Sequence, residues 1–368
     1  MRILQLGMTD NLGGIEAFLM NYYRHIDRSR IQFDFINIYE NSLCFQDEIK
    51  RLGGRIFSVP SYYKHPIKYI KKVKEIINSN HYEIIHCNMN SAAMIFPLIA
   101  GKISNATTVI SHAHNSSSDS GILKQILHTI NKKFIPYLAN VYFSCSNEAS
   151  KWFYGKKIRQ GDNHYIIYNA VDTNRFKYNK SLRKELRDKF GIKDGDLVLG
   201  HIGRFVKQKN QKWLIEKFKK ELIGDELKLV LVGQGQQLNQ IKDMVNEKDL
   251  NKKVIFLNPT PHIEKIYNIF DVFIMPSLYE GLPNTAIEAQ CNGVPTLLSN
   301  KITREAKIRS NCEYFSLGDS GLDLYKKIKR LNRENNSESE LDSFKDFDIC
   351  QSVQHLSCIY ENKINEKE

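Results

Sequence analysis

The chain has 368 residues, 42% of them hydrophobic and 26% charged, the make-up of an ordinary folded protein long enough for two domains. Its 53 lysines and arginines against 41 acids leave a formal charge of +12, which suits a nucleic acid, an anionic membrane surface or a phosphorylated substrate. Seven scattered cysteines, with no C-x-x-C pair, argue against a disulfide framework or a zinc ribbon and fit reduced thiols in the cytoplasm.

The chain runs straight into an apolar strand at residues 2–7, with no leader-like stretch before it. Its most apolar segment, residues 92–100, contains Pro97 and is shorter than the roughly 18 residues a spanning helix needs. The expectation is a cytoplasmic protein, attached to a membrane at most peripherally. After the first strand comes a loop at 8–14 and an amphipathic helix at 15–24. Apolar runs recur at 33–38, 55–59, 84–87, 107–111 and 141–144, with helical patterns between most of them. Such alternation predicts a parallel sheet covered on both faces, in one doubly wound domain over residues 1–179. A charged helix at 180–190 and a turn-rich stretch at 191–196 lead into a second series at 197–202, 227–232, 254–257, 272–275 and 296–299. These predict a second doubly wound domain over 180–344. Residues 332–340 read as a polar loop, and 345–361 as a helix within a terminal segment, 345–368, that packs back on the first domain. The last seven residues are expected to fray. Two Rossmann-like domains of this kind predict a cleft, with ligands beyond the carboxyl ends of the strands.

The most informative stretch is 275–295, MPSLYEGLPNTAIEAQCNGVP. A strand ends at Pro276, a polar loop presents Glu280-Gly281, and a helix begins near Pro283 and breaks near Gly293 and Pro295. A helix start after a glycine loop offers unpaired N–H groups and a positive dipole end to a phosphate. Glu280 and Glu288 are eight residues apart, roughly 12 Å along a helix, so they suit two places on one elongated ligand better than an acid/base pair.

Other candidates follow strands. Gly203-Arg204-Phe205-Val206-Lys207-Gln208-Lys209 places a guanidinium and an ammonium where they can neutralise a diphosphate, or form a solvated basic turn. Gly233-Gln234-Gly235 allows close backbone approach to a base or phosphate, or only a turn. Gly13-Gly14-Ile15-Glu16 lacks the dinucleotide fingerprint; it suits either an anion at a helix start or a structural turn. In Ser111-His112-Ala113-His114-Asn115, strand alternation puts both histidines on one side, for a metal, for a substrate hydroxyl, or for nothing beyond a loop. Asp194-Gly195-Asp196 and Asp346-Phe347-Asp348 sit away from strand carboxyl ends and read as structural. No helix-turn-helix, zinc or RNA-binding motif accompanies the positive charge, so no nucleic acid partner is expected.

Together these segments resemble glycosyltransferase family four, the retaining enzymes of GT-B architecture, over nearly the whole chain. The resemblance rests on Gly13-Gly14-Ile15-Glu16, on Tyr168-Asn169-Ala170-Val171-Asp172 through Phe176, on Gly203-Arg204 to Lys209, on Gly233-Gln234-Gly235 and, most specifically, on the E-x7-E spacing from Glu280 to Glu288. The Ser111–Asn115 stretch and Ile302-Thr303-Arg304-Glu305 bring it nearest to bacterial exopolysaccharide and capsule enzymes. Two departures stand out: no glycine between Asn300 and Glu305, and alanine at Ala170 where the family has glycine.

The resemblance implies an α/β GT-B fold and a metal-independent transfer of a hexose or N-acetylhexosamine from a nucleotide sugar, UDP-linked, to a lipid-linked saccharide. It implies that Arg204 and Lys209 hold the donor diphosphate, that Glu280 contacts donor-sugar hydroxyls, and that Glu288 binds the ribose. Amides near Gly281, Leu282, Asn284 and Thr285 would cradle sugar and phosphates, with Gly203 and Gly233 beside the nucleotide. His114 aligns with the family histidine at the sugar, with His112 second, and Gly14 would approach the phosphates or the acceptor. No cofactor or metal is implied. A nucleotide-sugar epimerase and a non-catalytic sugar-binding protein of the same architecture are the competing readings. A basic amphipathic stretch at 64–74 marks a candidate surface for the inner face of an anionic membrane.

Overall fold

Arg2–Leu6, Ile84–Met89 and Thr108–Ala113 are short runs buried on both sides, as strands at the centre of a parallel sheet must be. They belong to a computed structural model that describes residues 1–116, 121–220, 226–331 and 342–365. The chain divides into two units: residues 1–170 together with the segment from Asp346 onward, and Val171–Lys345.

In the first unit seven strands, β1 (Arg2–Leu6), β2 (Gln32–Asn37), β3 (Ile56–Ser58), β4 (Ile84–Met89), β5 (Thr108–Ala113), β6 (Val141–Ser144) and β7 (His164–Ile166), form one parallel sheet. Its order is β3-β2-β1-β4-β5-β6-β7. Side chains alternate faces: Ile3 and Ile84 join one apolar layer, and Leu4 and Ile85 the other. The first layer is completed by Phe18, Leu19 and Tyr22 of the helix Gly14–His25 and by Val353, Leu356 and Tyr360 of the terminal helix Ile349–Asn365. That terminal helix is therefore part of the first unit's core, and it runs on through residues expected to fray. The second layer takes Tyr69, Val73 and Ile77 from the helix Pro66–Ser79.

The second unit has six parallel strands, β8 (Leu197–Ile202), β9 (Leu227–Val232), β10 (Val254–Leu257), β11 (Val272–Met275), β12 (Thr296–Ser299) and β13 (Cys312–Phe315). Their order is β10-β9-β8-β11-β12-β13. In both sheets the order reverses direction beside the first strand, at β1/β4 and at β8/β11, which opens a crevice at the carboxyl ends.

The division falls at Val171 rather than at residue 179. The reason lies in the strap that follows: Arg175 bonds Glu264 at 2.8 Å and the Pro261 carbonyl at 2.6 Å, Asn292 donates to the Phe176 carbonyl at 2.9 Å, and the Asn179 amide donates to Asn268 at 2.7 Å. These bonds fasten the strap to the second unit. The expected loop at 332–340 lies outside the described residues. All seven cysteines are free thiols, and among the described residues no helix is long and apolar enough to cross a membrane.

Asp34 on β2 is the one acid of that strand, and its carboxylate is fully buried. It accepts bonds from Arg2 (2.5 and 2.6 Å), Arg55 (2.9 Å) and the Tyr82 hydroxyl (2.6 Å). Burial pushes its pKa up, but the bonds from Arg2, Arg55 and Tyr82 outweigh it and hold the carboxyl below its ordinary value. A depressed folded pKa adds stability above the unfolded value near 4, lost as pH falls through the still lower folded value. Asp34→Ala is expected to cost about 1–3 kcal/mol at neutral pH. Thermal melts taken at successively lower pH should show the gap from the natural chain closing in the acid range, and a gap that stays constant would contradict this role.

Candidate functional site

The second unit gathers the basic turn and the E-x7-E segment at its β8/β11 switch. Beyond β8, residues 203–210 form a turn whose short 3-10 helix, Lys207–Lys209, ends at Asn210 in the left-handed region with φ 57°. Asn210 Nδ2 donates to the Pro276 carbonyl (3.1 Å), Gln208 Nε2 donates to the Tyr279 carbonyl (3.0 Å), and the Leu278 amide donates to the Gln208 carbonyl (2.8 Å). On its other side the 276–282 loop is held by the Ser299 hydroxyl, which donates to the Ser277 carbonyl at 2.5 Å, and by a parallel bridge between Glu280 and Ile302. Ile302 lies in the glycine-free segment that departs from the family pattern, so that segment still meets the acid loop, by backbone. Within this frame Lys209 Nζ lies 2.7 Å from Glu280 Oε1, with side chains only 15% and 9% exposed. Arg204 is exposed and forms no ion pair among the described residues.

The helix after the loop, Asn284–Cys291, starts at Pro283 with no side-chain cap. Its first amides are left without intrahelical partners, and the Thr285 hydroxyl oxygen is buried without a partner among the described residues. Glu288, on the next turn, accepts from the Tyr267 hydroxyl at 2.6 Å, and burial raises its pKa. Glu280 and Glu288 thus stand in separate surroundings, one paired with an ammonium and the other with a phenol.

Gly233 and Gly235 both have φ near +150°. A Cβ on Gly233 would lie 2.1 Å from the Gly203 carbonyl oxygen, and one on Gly235 2.6 Å from that of Phe205. The close approach they serve is between two backbone loops: Gly203 N–H donates to the Val232 carbonyl, Phe205 N–H to Gln234 and Gln237 N–H to Phe205. Two buried residues that motif reading missed complete the frame. His201 donates from Nδ1 to the Ile274 carbonyl (2.9 Å) and accepts at Nε2 from Gln211 (3.2 Å), which also donates to the Arg204 carbonyl (2.9 Å). Burial lowers the His201 pKa to about 4, so the ring is neutral. A histidine inside the apolar run LVLGHI is the signal for such a partnered residue.

In the first unit, Gly13 caps the helix Gly14–His25, and the buried Glu16 folds back so that its Oε1 accepts from the Thr9 amide at 2.8 Å. A Cβ on Gly13 would meet Glu16 at 2.7 Å, whereas the space above Gly14 is open. The turn reading therefore explains Gly13, and the anion reading stays available for Gly14.

His112 and His114 do lie together, with ring centroids 3.9 Å apart. His112 is fully buried, with Nδ1 3.0 Å from His86 Nε2, and His86 Nδ1 is 2.6 Å from the Tyr360 hydroxyl. His114 is partly exposed. Asn88 fixes its tautomer: the amide nitrogen of Asn88 donates to Gln5 and to the Leu6 carbonyl, so its oxygen accepts from His114 Nε2–H at 2.9 Å. Burial holds His114 uncharged, with a pKa near 3, and lowers His86 and His112 as well. Among the described residues no group of three or more His, Cys, Asp or Glu is arranged to hold a metal. In the first D-x-D, Asp196 closes its own turn by accepting from the Lys193 amide at 2.8 Å.

Residues 12–175 match the model for Glycosyltransferase Family 4, and residues 183–338 that for Glycosyl transferases group 1. EpsF of Bacillus subtilis (strain 168), named as a glycosyltransferase, is 30% identical over 310 residues, covering 83% of this chain and 80% of EpsF. The UDP-Gal:alpha-D-GlcNAc-diphosphoundecaprenol alpha-1,3-galactosyltransferase of Escherichia coli is 26% identical over 344 residues, 88% of this chain and 86% of that one. The capsular polysaccharide biosynthesis glycosyltransferase CapH of Staphylococcus aureus is 24% identical over 381 residues, 98% and 99% of the two chains. The crystal structure of Anabaena Alr3699/HepE in complex with UDP-glucose superposes with a TM-score of 0.81 at 19% identity, over 98% of this chain and 100% of that one. The fold is that of the GT-B glycosyltransferases, and the chain belongs to glycosyltransferase family 4, as a relative of enzymes that build polysaccharides.

Proposed function

We propose that the protein transfers a hexose or N-acetylhexosamine from a UDP-sugar to a lipid-linked saccharide, with retention of configuration and without a metal ion, in making an exopolysaccharide or capsule. The observation that carries this reading is the Lys209–Glu280 pair at the start of the Asn284–Cys291 helix, with Glu288 one turn further on. An ammonium and uncapped helix amides suit a diphosphate, and a carboxylate on either side of them suits sugar and ribose hydroxyls. The named chemistry of the E. coli relative, a UDP-sugar and a diphosphoundecaprenol acceptor, supports it.

In the mechanism we propose, the bond between the anomeric carbon and the diphosphate breaks with charge growing on the leaving oxygen. Lys209 and Arg204 offset that charge, doing the work a cation would otherwise do. The acceptor oxygen bonds to the same face of the anomeric carbon, and its proton passes to a leaving phosphate oxygen. Positioning and electrostatics then supply most of the acceleration. His114, neutral and with Nε2–H donating to Asn88, leaves Nδ1, which has no partner among the described residues, to accept from a sugar hydroxyl. The inner face of an anionic membrane is the proposed place of work.

The test is transfer from a panel of UDP-sugars to an undecaprenyl-diphosphate saccharide, with and without EDTA, and product anomers read by NMR. Inversion, or strict loss of turnover with EDTA, would overturn the corresponding part. Glu288→Gln keeps the shape of the ribose contact and removes its charge. It is expected to raise the donor KM by roughly tenfold, since a hydrogen bond to a charged group is worth about 1.5–3 kcal/mol. The same bond exists in ground and transition states, so kcat should hold. A fall in kcat at constant KM would remove Glu288 from the ribose.

A further inference from the structure

The helix Ile122–Asn131 is inverted for an element of a folded domain. Ile122, Leu123, Ile126, Leu127 and Ile130 are all exposed, the first two at 78% and 70%. At spacings of one and four they make an apolar stripe along the helix. Phe134 and Tyr137, just beyond it, are exposed as well. The helix is attached through polar groups instead. His128 is its one buried residue, stacked on Trp152 at 4.0 Å and accepting at Nδ1 from the Ala92 amide at 3.1 Å. Asn131 donates to the Ala93 carbonyl, and Lys132 to that of Trp152. Ordinary core packing therefore explains none of the isoleucines and leucines.

Charge identifies what covers them. Residues 121–139 contain Lys124, Lys132 and Lys133 and not one aspartate or glutamate. A second copy of the chain would bring basic rims together, whereas anionic lipid headgroups complement them. By contrast, the helix Pro66–Ser79, which overlaps the basic stretch at 64–74, turns Tyr69, Val73, Ile76 and Ile77 inward and keeps Lys68, Lys71 and Lys72 exposed.

We propose that the helix Ile122–Asn131 lies in the headgroup interface of an anionic bilayer, with its apolar stripe toward the acyl chains and with Lys124, and Lys132 and Lys133 just beyond its end, at the phosphates. The inference deepens the reading of a lipid-linked acceptor and is tested by binding, so the two can fail separately.

The full chain is sedimented with vesicles of phosphatidylglycerol and phosphatidylcholine in equal parts, and with phosphatidylcholine alone. It should partition at least about tenfold more strongly onto the anionic vesicles, at roughly 1 kcal/mol for each lysine near the surface. Ile126→Ser with Ile130→Ser should weaken that partition by about tenfold for each side chain, from lost apolar burial. Both positions are exposed, so the melting temperature should not move. Transfer to a short-chain, water-soluble acceptor should also survive in this variant. The inference is overturned if the natural chain stays in the supernatant, if the serine variant sediments like it, or if light scattering shows a dimer that the serines dissociate. Vesicle binding without any transfer would leave this inference standing and sink the proposed function instead.

Discussion

Lys209→Ala is expected to lower sugar transfer by about a hundred- to a thousandfold, the usual loss when a preorganised group facing developing charge is removed. The ammonium sits 2.7 Å from Glu280 in a nearly buried setting, and the backbone around it is pinned from Gln208, Asn210 and Ser299. Removing it also leaves the Glu280 carboxylate buried and alone, which by itself destabilises the loop. The double variant Lys209→Ala/Glu280→Ala separates the two effects. If the pair only shapes the loop, removing both partners restores much of the activity. If the ammonium faces the diphosphate, the double variant stays as slow as the worse single one. Steady-state rates on the UDP-sugar panel, with melting temperatures alongside, decide between them. Arg204→Ala should also be severely slowed but should melt normally, since the exposed guanidinium bonds nothing among the described residues.

Gly233→Ala is expected to be the most damaging single methyl group in the second unit. The new Cβ would lie 2.1 Å from the Gly203 carbonyl oxygen, at a φ near +150° that side chains other than glycine's rarely adopt. Neither neighbour is a flexible side chain that can swing away, because the Gly203 amide donates to the Val232 carbonyl beside it. Relief requires parting the β8 and β9 loops, and with them the turn that carries Arg204 and Lys209. A cost of about 3 kcal/mol or more follows from strain and overpacking together. Denaturant melts of the second unit's transition measure it. A variant within about 0.5 kcal/mol of the natural chain, as at an ordinary surface position, would show that the loops are loosely coupled.

The alternation of apolar runs with helical patterns made the two parallel sheets legible, because strands buried on both faces leave no other reading. Punctuation by Pro276, Gly281, Pro283 and Gly293 likewise located the loop and helix that carry Glu280 and Glu288. Local pattern did not show what depends on distant partners. Nothing around Ile84–Met89 announces that His86 bonds Tyr360, since the two are brought together only by the return of the terminal helix. Pattern alone did not say what Gly233 approaches, because the requirement for close approach is the same whether the neighbour is a phosphate or a carbonyl such as that of Gly203. Ile122–Asn131 has a strong helical stripe, and stripes are read as inward-facing. Only the exposure of its residues, with His128 as the anchor, reverses that. The strap at 171–179 carries no composition shift, so its allegiance to the second unit rests on bonds from Glu264, Asn268 and Asn292.

The return of the helix Ile349–Asn365 into the first unit bears on how the chain is made. The second unit is continuous, so it can fold as soon as its own residues leave the ribosome. The first cannot: a nascent chain of its first 170 residues lacks Ile349, Val353, Leu356 and Tyr360, and its apolar layer around Phe33 and Tyr22 stays open to water. The amino-terminal half, synthesised first, is thus the last to be finished. Gene fragments cut at the sequence midpoint should yield an aggregating first half, which the terminal helix supplied as a separate peptide would rescue.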